Sequence, residues 1–201
     1  MPKTEAIYTD FFSETIGAMN GGGVLLVTTD SGGRPNPMTI GWGAVGVIWG
    51  RPVFIVLIRP SRHSFRLIEE AGDFTINVLP RGMEDVTSFC GMTSGRDYDK
   101  FREMGLTAAP GRKVGSPIID EGIIHYECRV VHKNDVAPGH LSPDIASSSY
   151  TGGDYHRIYF GEILAVYAAE DARERLPEYA SRPGELRGNQ PGPLPPRWPG
   201  F

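Results

Sequence analysis

The feature that most limits what this chain can fold into is how often its apolar runs are cut short. Val53 to Ile58, one of the longest, lies between Gly50-Arg51-Pro52 and Arg59-Pro60, and the 201 residues include 26 Gly and 17 Pro. Runs of that length bounded by turn formers are the size of strands, while a long helix needs an uninterrupted periodic segment. The expected fold is mostly β with short helices. An apolar share of 40% with nine Phe supplies enough surface to bury against the entropy of ordering, so wholesale disorder is excluded. The length suits one domain with a substantial core.

Apolar residues at spacings of three and four, Ile7, Tyr8, Phe11, Phe12 and Ile16, predict a helix over about Tyr8 to Met19 that Asn20-Gly-Gly-Gly ends. Gly23 to Thr29 and Pro37 to Ala44 read as a hairpin turning at Asp30-Ser-Gly-Gly, followed by a strand over Val53 to Arg59. Ser61 is placed to cap a helix over Arg62 to Glu70, and Phe74 to Leu79 resumes β. Helical pieces are expected at Glu84 to Cys90 and Asp97 to Met104, with Gly105 at the C-terminal end of the second. Long strands follow at Ile123 to His132 and Tyr155 to Tyr167, joined by a loop rich in Pro, Gly and Ser. The domain is expected to span 1–170, with 171–201 as a Pro/Gly-rich tail of extended character.

Several function classes drop out. A formal charge of −4 and a pI near 5.7 argue against nucleic acid as a partner, because affinity for a phosphate backbone needs clustered Lys and Arg. No apolar stretch approaches the roughly 20 residues that cross a bilayer, so no membrane partner is expected. Lys3, Glu5 and Asp10 interrupt any signal-peptide core, which makes a cytoplasmic address the expectation. Cys90 and Cys128 form no CxxC and read as reduced thiols. The histidines at 63, 125, 132, 140 and 156 lack metal-site spacing, and His125 and His132, seven apart on one strand, should face opposite sides. No metal is expected.

Gly41-Trp-Gly-Ala-Val-Gly46 is a literal GxGxxG, but the strand beginning at Val53 leaves no room for the helix that a dinucleotide fingerprint must open. In Gly91-Met-Thr-Ser-Gly95 the serine stands one position late for a nucleophile elbow. Arg59-Pro-Ser-Arg-His-Ser64 is more informative. It joins a strand end to a helix start and gathers Arg59, Ser61, Arg62, His63 and Ser64 beside free helix N–H groups, the chemistry of a phosphate pocket or, more plainly, of a capped basic helix. In Asn36-Pro-Met-Thr-Ile-Gly-Trp42 a Gly beside a Trp within a strand marks a close approach, where exposed N–H groups could meet a flat heterocycle, with Trp42 packed in the core as the alternative.

The order of these pieces, Asn36-Pro-Met-Thr-Ile-Gly-Trp, Arg59-Pro-Ser-Arg-His-Ser, Phe74-Thr-Ile-Asn-Val-Leu, Cys90-Gly-Met-Thr-Ser-Gly-Arg with Asp99-Lys-Phe, and Gly161-Glu-Ile, resembles the flavin reductase-like family, especially its flavoredoxin branch. The resemblance spans about Gly22 to Val166. It implies an FMN-binding split β-barrel and a homodimer with its flavin near the subunit interface. Asn36, Met38, Thr39, Ile40, Gly41 and Trp42 would line the flavin; Arg59, Ser61, Arg62, His63 and Ser64 would surround the phosphate, with Ser94 and Lys100 approaching from the next loop. His156 resembles the histidine that many members place near flavin and nicotinamide, although Gly153-Asp-Tyr-His156 inserts Tyr155 into the commoner Gly-Asp-His.

The implied activity is hydride transfer from NADH or NADPH to FMN, with a small molecule or a redox protein as electron acceptor. A flavoredoxin-type carrier without its own NAD(P)H turnover is the alternative, and a split-barrel module for haem or another ligand is a third class. In the tail, Leu194, Trp198 and Phe201 are large apolar groups among prolines that pre-set an extended arm. Residues 181–201 are therefore expected to lie across the body of a dimer, anchored by Trp198.

Overall fold

The computed structural model describes residues 2–177. The chain begins with strand β1 (Lys3–Ala6) and helix α1 (Phe12–Gly21), then forms β2 (Val24–Thr29), β3 (Pro35–Ile40), β4 (Gly43–Ile48) and β5 (Arg51–Ile58). Helix α2 (His63–Ala71), β6 (Asp73–Val78), α3 (Glu84–Met92) and the single turn α4 (Lys100–Glu103) follow. The short β7 (Ala108–Ala109) and β8 (Ile118–Ile119) lead to β9 (Ile124–Asp135), α5 (Pro143–Ser149) and β10 (Arg157–Ala169).

Seven of these strands run in the order β3-β2-β6-β9-β10-β5-β4, each pair antiparallel, and β1 joins the C-terminal half of β10 beyond β5. The outermost strands, β3 and β4, are consecutive in sequence, with only Gly41 and Trp42 between them. A flat sheet would hold those edges nearly 30 Å apart at about 4.8 Å per strand, yet three residue steps reach at most about 10 Å. The sheet must curl until its edges almost meet, which makes it a barrel with a split between β3 and β4.

Inside the curl, Leu26, Phe54, Phe74, Ile76, Tyr126 and Tyr159 form the core. Leu25 and Val27 on the other face of β2 pack with Val86, Cys90, Phe101 and Leu106 beneath α3 and α4. Burial on both faces explains why β2 reads as a continuous apolar run. Both cysteines are free and buried, and burial pushes the Cys90 thiol up to about 11.

Several expectations change; α1 starts at Phe12 rather than Tyr8, and the helix expected over Asp97 to Met104 is a single turn. The strand expected over Pro37 to Ala44 is two strands, because an apolar stretch from Ile40 to Ala44 hides the joint at Gly41-Trp42. Gly43 takes the close approach there, since a Cβ would lie 2.5 Å from the Ile55 carbonyl oxygen. Ser61 does not cap α2; Arg62 holds the N-cap position and no side chain caps it. His125 and His132 do not simply alternate, because the pairing of β9 with β10 skips Val131; they are kept apart by the length of strand between them, about 3.3 Å per residue. Finally, the chain stays packed past residue 170: Ala172 and Leu176 are in the core, and the Arg81 N–H donates to the Arg175 carbonyl at 2.8 Å. The extended arm expected over 181–201 lies outside the described residues. Among the described residues, no helix is long and apolar enough to cross a membrane.

β10 pairs with β5 along Arg157 to Glu162, and Gly161 sets its distance from the core. A Cβ there would stand 2.5 Å from Phe74 Cζ and 2.8 Å from Cys128 Cβ. Gly161→Val should therefore cost about 2 kcal/mol or more by overpacking, read as a lower urea midpoint at unchanged slope; an unchanged midpoint would show that β10 is free to shift.

Candidate functional site

The split opens into a cleft of about 190 Å³. Met38 to Trp42 form one wall, and Leu57, Ile58, Arg59, Arg62 and His156 form the other. The Thr39 side chain turns toward α3. Its hydroxyl donates to the Thr87 carbonyl, and its methyl fills the space that a Cβ at Gly23 would need, 2.4 Å away. α3 is thereby clamped to the back of β3. Lys100 sits there too, 4% exposed, its ammonium donating to the carbonyls of Pro37 at 3.0 Å and Cys90 at 2.8 Å. Burial lowers its pKa to about 8. Lys100 thus fastens β3 from behind, and its bonds run to main chain.

Beside the cleft, the start of β3, the start of α2 and the Ser94-Gly95 turn meet closely. Asn36 Nδ2 donates to the buried Ser64 hydroxyl at 2.8 Å, and a Cβ at Gly95 would overlap Asn36 Oδ1 at 1.8 Å and His63 Cδ2 at 2.9 Å. Only Gly allows the Ser94-Gly95 turn to lie this close to the start of α2. Ser94 accepts from the Arg96 N–H at 3.2 Å, and the Arg96 guanidinium donates to the Ser61 carbonyl at 3.2 Å. Burial, then the charges of Arg96, Arg66, Lys100 and Arg34, hold the His63 imidazole below its usual pKa. Of these, Arg66 is itself paired with Glu70 at 2.6 Å, and Lys100 is bonded to main chain.

The other residues of the Arg59-to-Ser64 segment divide between two tasks. Arg59 donates to the carbonyls of Asp154 at 2.9 Å and Ser149 at 2.8 Å, and the Asp154 carboxylate accepts from the Ser61 N–H at 3.2 Å and the Ser61 hydroxyl at 2.6 Å. Arg59 and Ser61 therefore tie the 149–154 segment to the cleft. Arg62 lines the cleft, and its guanidinium makes no hydrogen bond or ion pair among the described residues. Gly153 and Asp154, both at positive φ (74° and 54°), swing the chain so that the His156 ring lies 4.9 Å from Trp42. Trp42 is 45% exposed, which removes the core-packing alternative for it. The 7%-exposed His156 bonds through Nδ1 to the Tyr150 hydroxyl at 2.8 Å, and burial beside Arg59 brings its pKa to about 4.

The sequence reading missed Arg34, Arg96, Tyr150 and Asp154. Arg96 ends the Cys90-Gly-Met-Thr-Ser-Gly-Arg motif, two residues from Ser94, so that motif carries its signal. Nothing in periodicity signals that Tyr150 and Asp154 fold back onto Arg59 from a loop about 90 residues away. Among the described residues no group of three His, Cys, Asp or Glu side chains could hold a metal.

Residues 18–186 match the flavin reductase like domain family, and the chain belongs to it. An uncharacterized protein of Aeropyrum pernix is 30% identical over 74% of this chain and 50% of its own length. The chain thus spans half the length of that relative. A flavin reductase (NADH) of Kitasatospora aureofaciens is 28% identical over 60% of this chain and 61% of the relative. The solved flavoredoxin of Desulfovibrio vulgaris superposes with a TM-score of 0.59 at 27% identity, over 74% of this chain and 69% of that one.

Because folding holds the His156 pKa near 4, below the ordinary 6.5, its neutral ring contributes stability above about pH 6.5 that is lost as the pH falls toward 4. An NMR titration should find His156 neutral at pH 6 with a midpoint near 4. A midpoint near 6.5 would place the ring in water, away from Arg59.

Proposed function

We propose that the protein is an FMN-dependent oxidoreductase that takes hydride from NADH or NADPH and hands electrons to a small molecule or a redox protein. The observation that carries this reading is a cleft lined by Met38 to Trp42 on one side and by Arg62, just before the start of α2, on the other. A flat heterocycle needs backbone donors along its edge and an apolar surface against its face, and the Met38-to-Trp42 segment offers both. A phosphate needs charge-assisted donors and free N–H groups, and Arg62 with the first turn of α2 supplies them.

When bound, the flavin supplies a ring that accepts hydride and returns electrons. The chain's own residues bind and orient it. Trp42 and His156 bound the cleft as a tilted ring pair, Lys100 and Thr39 hold β3 in place from behind, and Arg59 positions the segment that carries His156. No protein nucleophile is required for this chemistry.

The cleft of one chain is smaller than the roughly 300 to 1,000 Å³ usual for small-molecule sites. Trp42 and, on the β4–β5 turn, Trp49 are 45% and 62% exposed beside the open edge of β4. Both points support a homodimer in which the second subunit completes the flavin site. Similarity to a flavoredoxin supports a second reading, an electron carrier without NAD(P)H turnover. Anaerobic mixing separates them: bleaching of bound flavin by NADH or NADPH supports the enzyme, and bleaching only by a reduced protein partner supports the carrier.

Titration with FMN should reach one flavin per chain. Arg62→Ala should weaken FMN by about 1.5 to 3 kcal/mol and riboflavin much less, because that side chain is free to meet a phosphate. Arg59→Ala should weaken both flavins together, since its guanidinium holds the 149–154 segment. Equal losses of FMN and riboflavin in Arg62→Ala would show that Arg62 does not read the phosphate.

A further inference from the structure

Tyr150 ends α5 and is 6% exposed. Three groups fix its ring: Tyr155 stacks on it at 4.7 Å and 21°, the Arg59 guanidinium lies 5.1 Å over it, and His156 meets it edge-on at 79°. Its hydroxyl makes one hydrogen bond, 2.8 Å to His156 Nδ1. This assembly also shows what Tyr155 does, since its stacking braces Tyr150 against the histidine that follows it.

A phenol and a neutral imidazole can each donate or accept, so the direction of the bond must come from their chemistry. The phenol O–H is the more acidic donor, and the unprotonated imidazole nitrogen is the better acceptor of the two. The Arg59 charge over the phenol ring favours an O–H that gives up proton density, and the same charge disfavours a second proton on His156. The Tyr150 O–H therefore donates to Nδ1. In a neutral ring the remaining proton must then be on Nε2.

Nε2 lies across the ring from Tyr150 and has no partner among the described residues. No buried side-chain nitrogen or oxygen there is left unpaired, so this atom is open to its surroundings, and His156 lines the cleft against Trp42. We propose that Tyr150 is a positioning residue that locks His156 as the Nε2–H tautomer, so that the cleft presents one neutral donor to a carbonyl oxygen of a flat heterocycle or carboxamide. A neutral donor orients such an oxygen without adding charge to a cleft that Arg59 and Arg62 already border. Its use on a flavin or nicotinamide rests on the function proposed above; the tautomer itself does not.

Nitrogen NMR of ¹⁵N-labelled, flavin-free protein at pH 7 tests the tautomer directly. Wild type should show His156 with Nε2 protonated and Nδ1 bare, and Tyr150→Phe should lose that preference and give a mixture. With FMN loaded, Tyr150→Phe should lower kcat/KM for the nicotinamide donor about tenfold while changing FMN affinity less than about twofold, the pattern of a lost orienting bond. A protonated Nδ1 in wild type overturns the proposal even if the variant fails to fold, and so does an unchanged tautomer in Tyr150→Phe. An equal loss of FMN affinity and turnover would reduce Tyr150 to a structural role. If wild type binds no FMN, the flavin reading fails while the tautomer result stands.

Discussion

Ile40 and Gly43 end the two edge strands of a single sheet, and only Gly41 and Trp42 separate them. That short joint forces the curl, and the curl creates the split in which the cleft lies. The joint also decides what faces the cleft. A chain crossing from one edge to the other has no ladder partner there, so its main-chain groups remain available to a ligand. α3, Thr39 and Lys100 stabilise this arrangement from behind through bonds to the carbonyls of Thr87, Pro37 and Cys90.

The electrostatics of the site divide along its length. At the α2 end, burial and the charges of Arg96, Arg66, Lys100 and Arg34 disfavour a proton on His63, and the Arg62 guanidinium lines the cleft. At the Trp42 end, His156 is kept neutral by burial beside Arg59, an environment suited to an uncharged ring. Arg59 stands between the two and bonds to the carbonyls of Ser149 and Asp154, so one side chain couples the phosphate-type loop to the segment that carries the histidine. A ligand with an aromatic body and an anionic tail matches both ends.

Much of this was legible in the sequence where local physics dominates. Turn formers around Val53 to Ile58 and the apolar run of Val24 to Val27 gave strands with nearly the right limits, and the Arg59-to-Ser64 segment was recognised as a strand end leading into a helix. The edge strand β1, with Lys3, Thr4 and Glu5, carried no apolar signal because much of it faces solvent. The break at Gly41-Trp42 was hidden because both neighbouring strands are apolar beside it. Of the residues that local chemistry and the order of motifs single out, Met38 to Trp42, Arg59, Arg62 and His156 line the cleft. The jobs of Lys100 and Arg59 were not legible, because each depends on carbonyls brought from distant positions: Cys90 and Pro37 for one, Ser149 and Asp154 for the other.

The proposed function requires the joint between β3 and β4 and the start of α2 to form one flavin site. Amide hydrogen exchange measured with and without FMN tests it most directly. FMN should slow exchange at residues 39–42 and 61–64 together, with no comparable change at β7 and β8. Protection confined to another part of the barrel, with these amides unchanged while FMN is bound, would contradict the account.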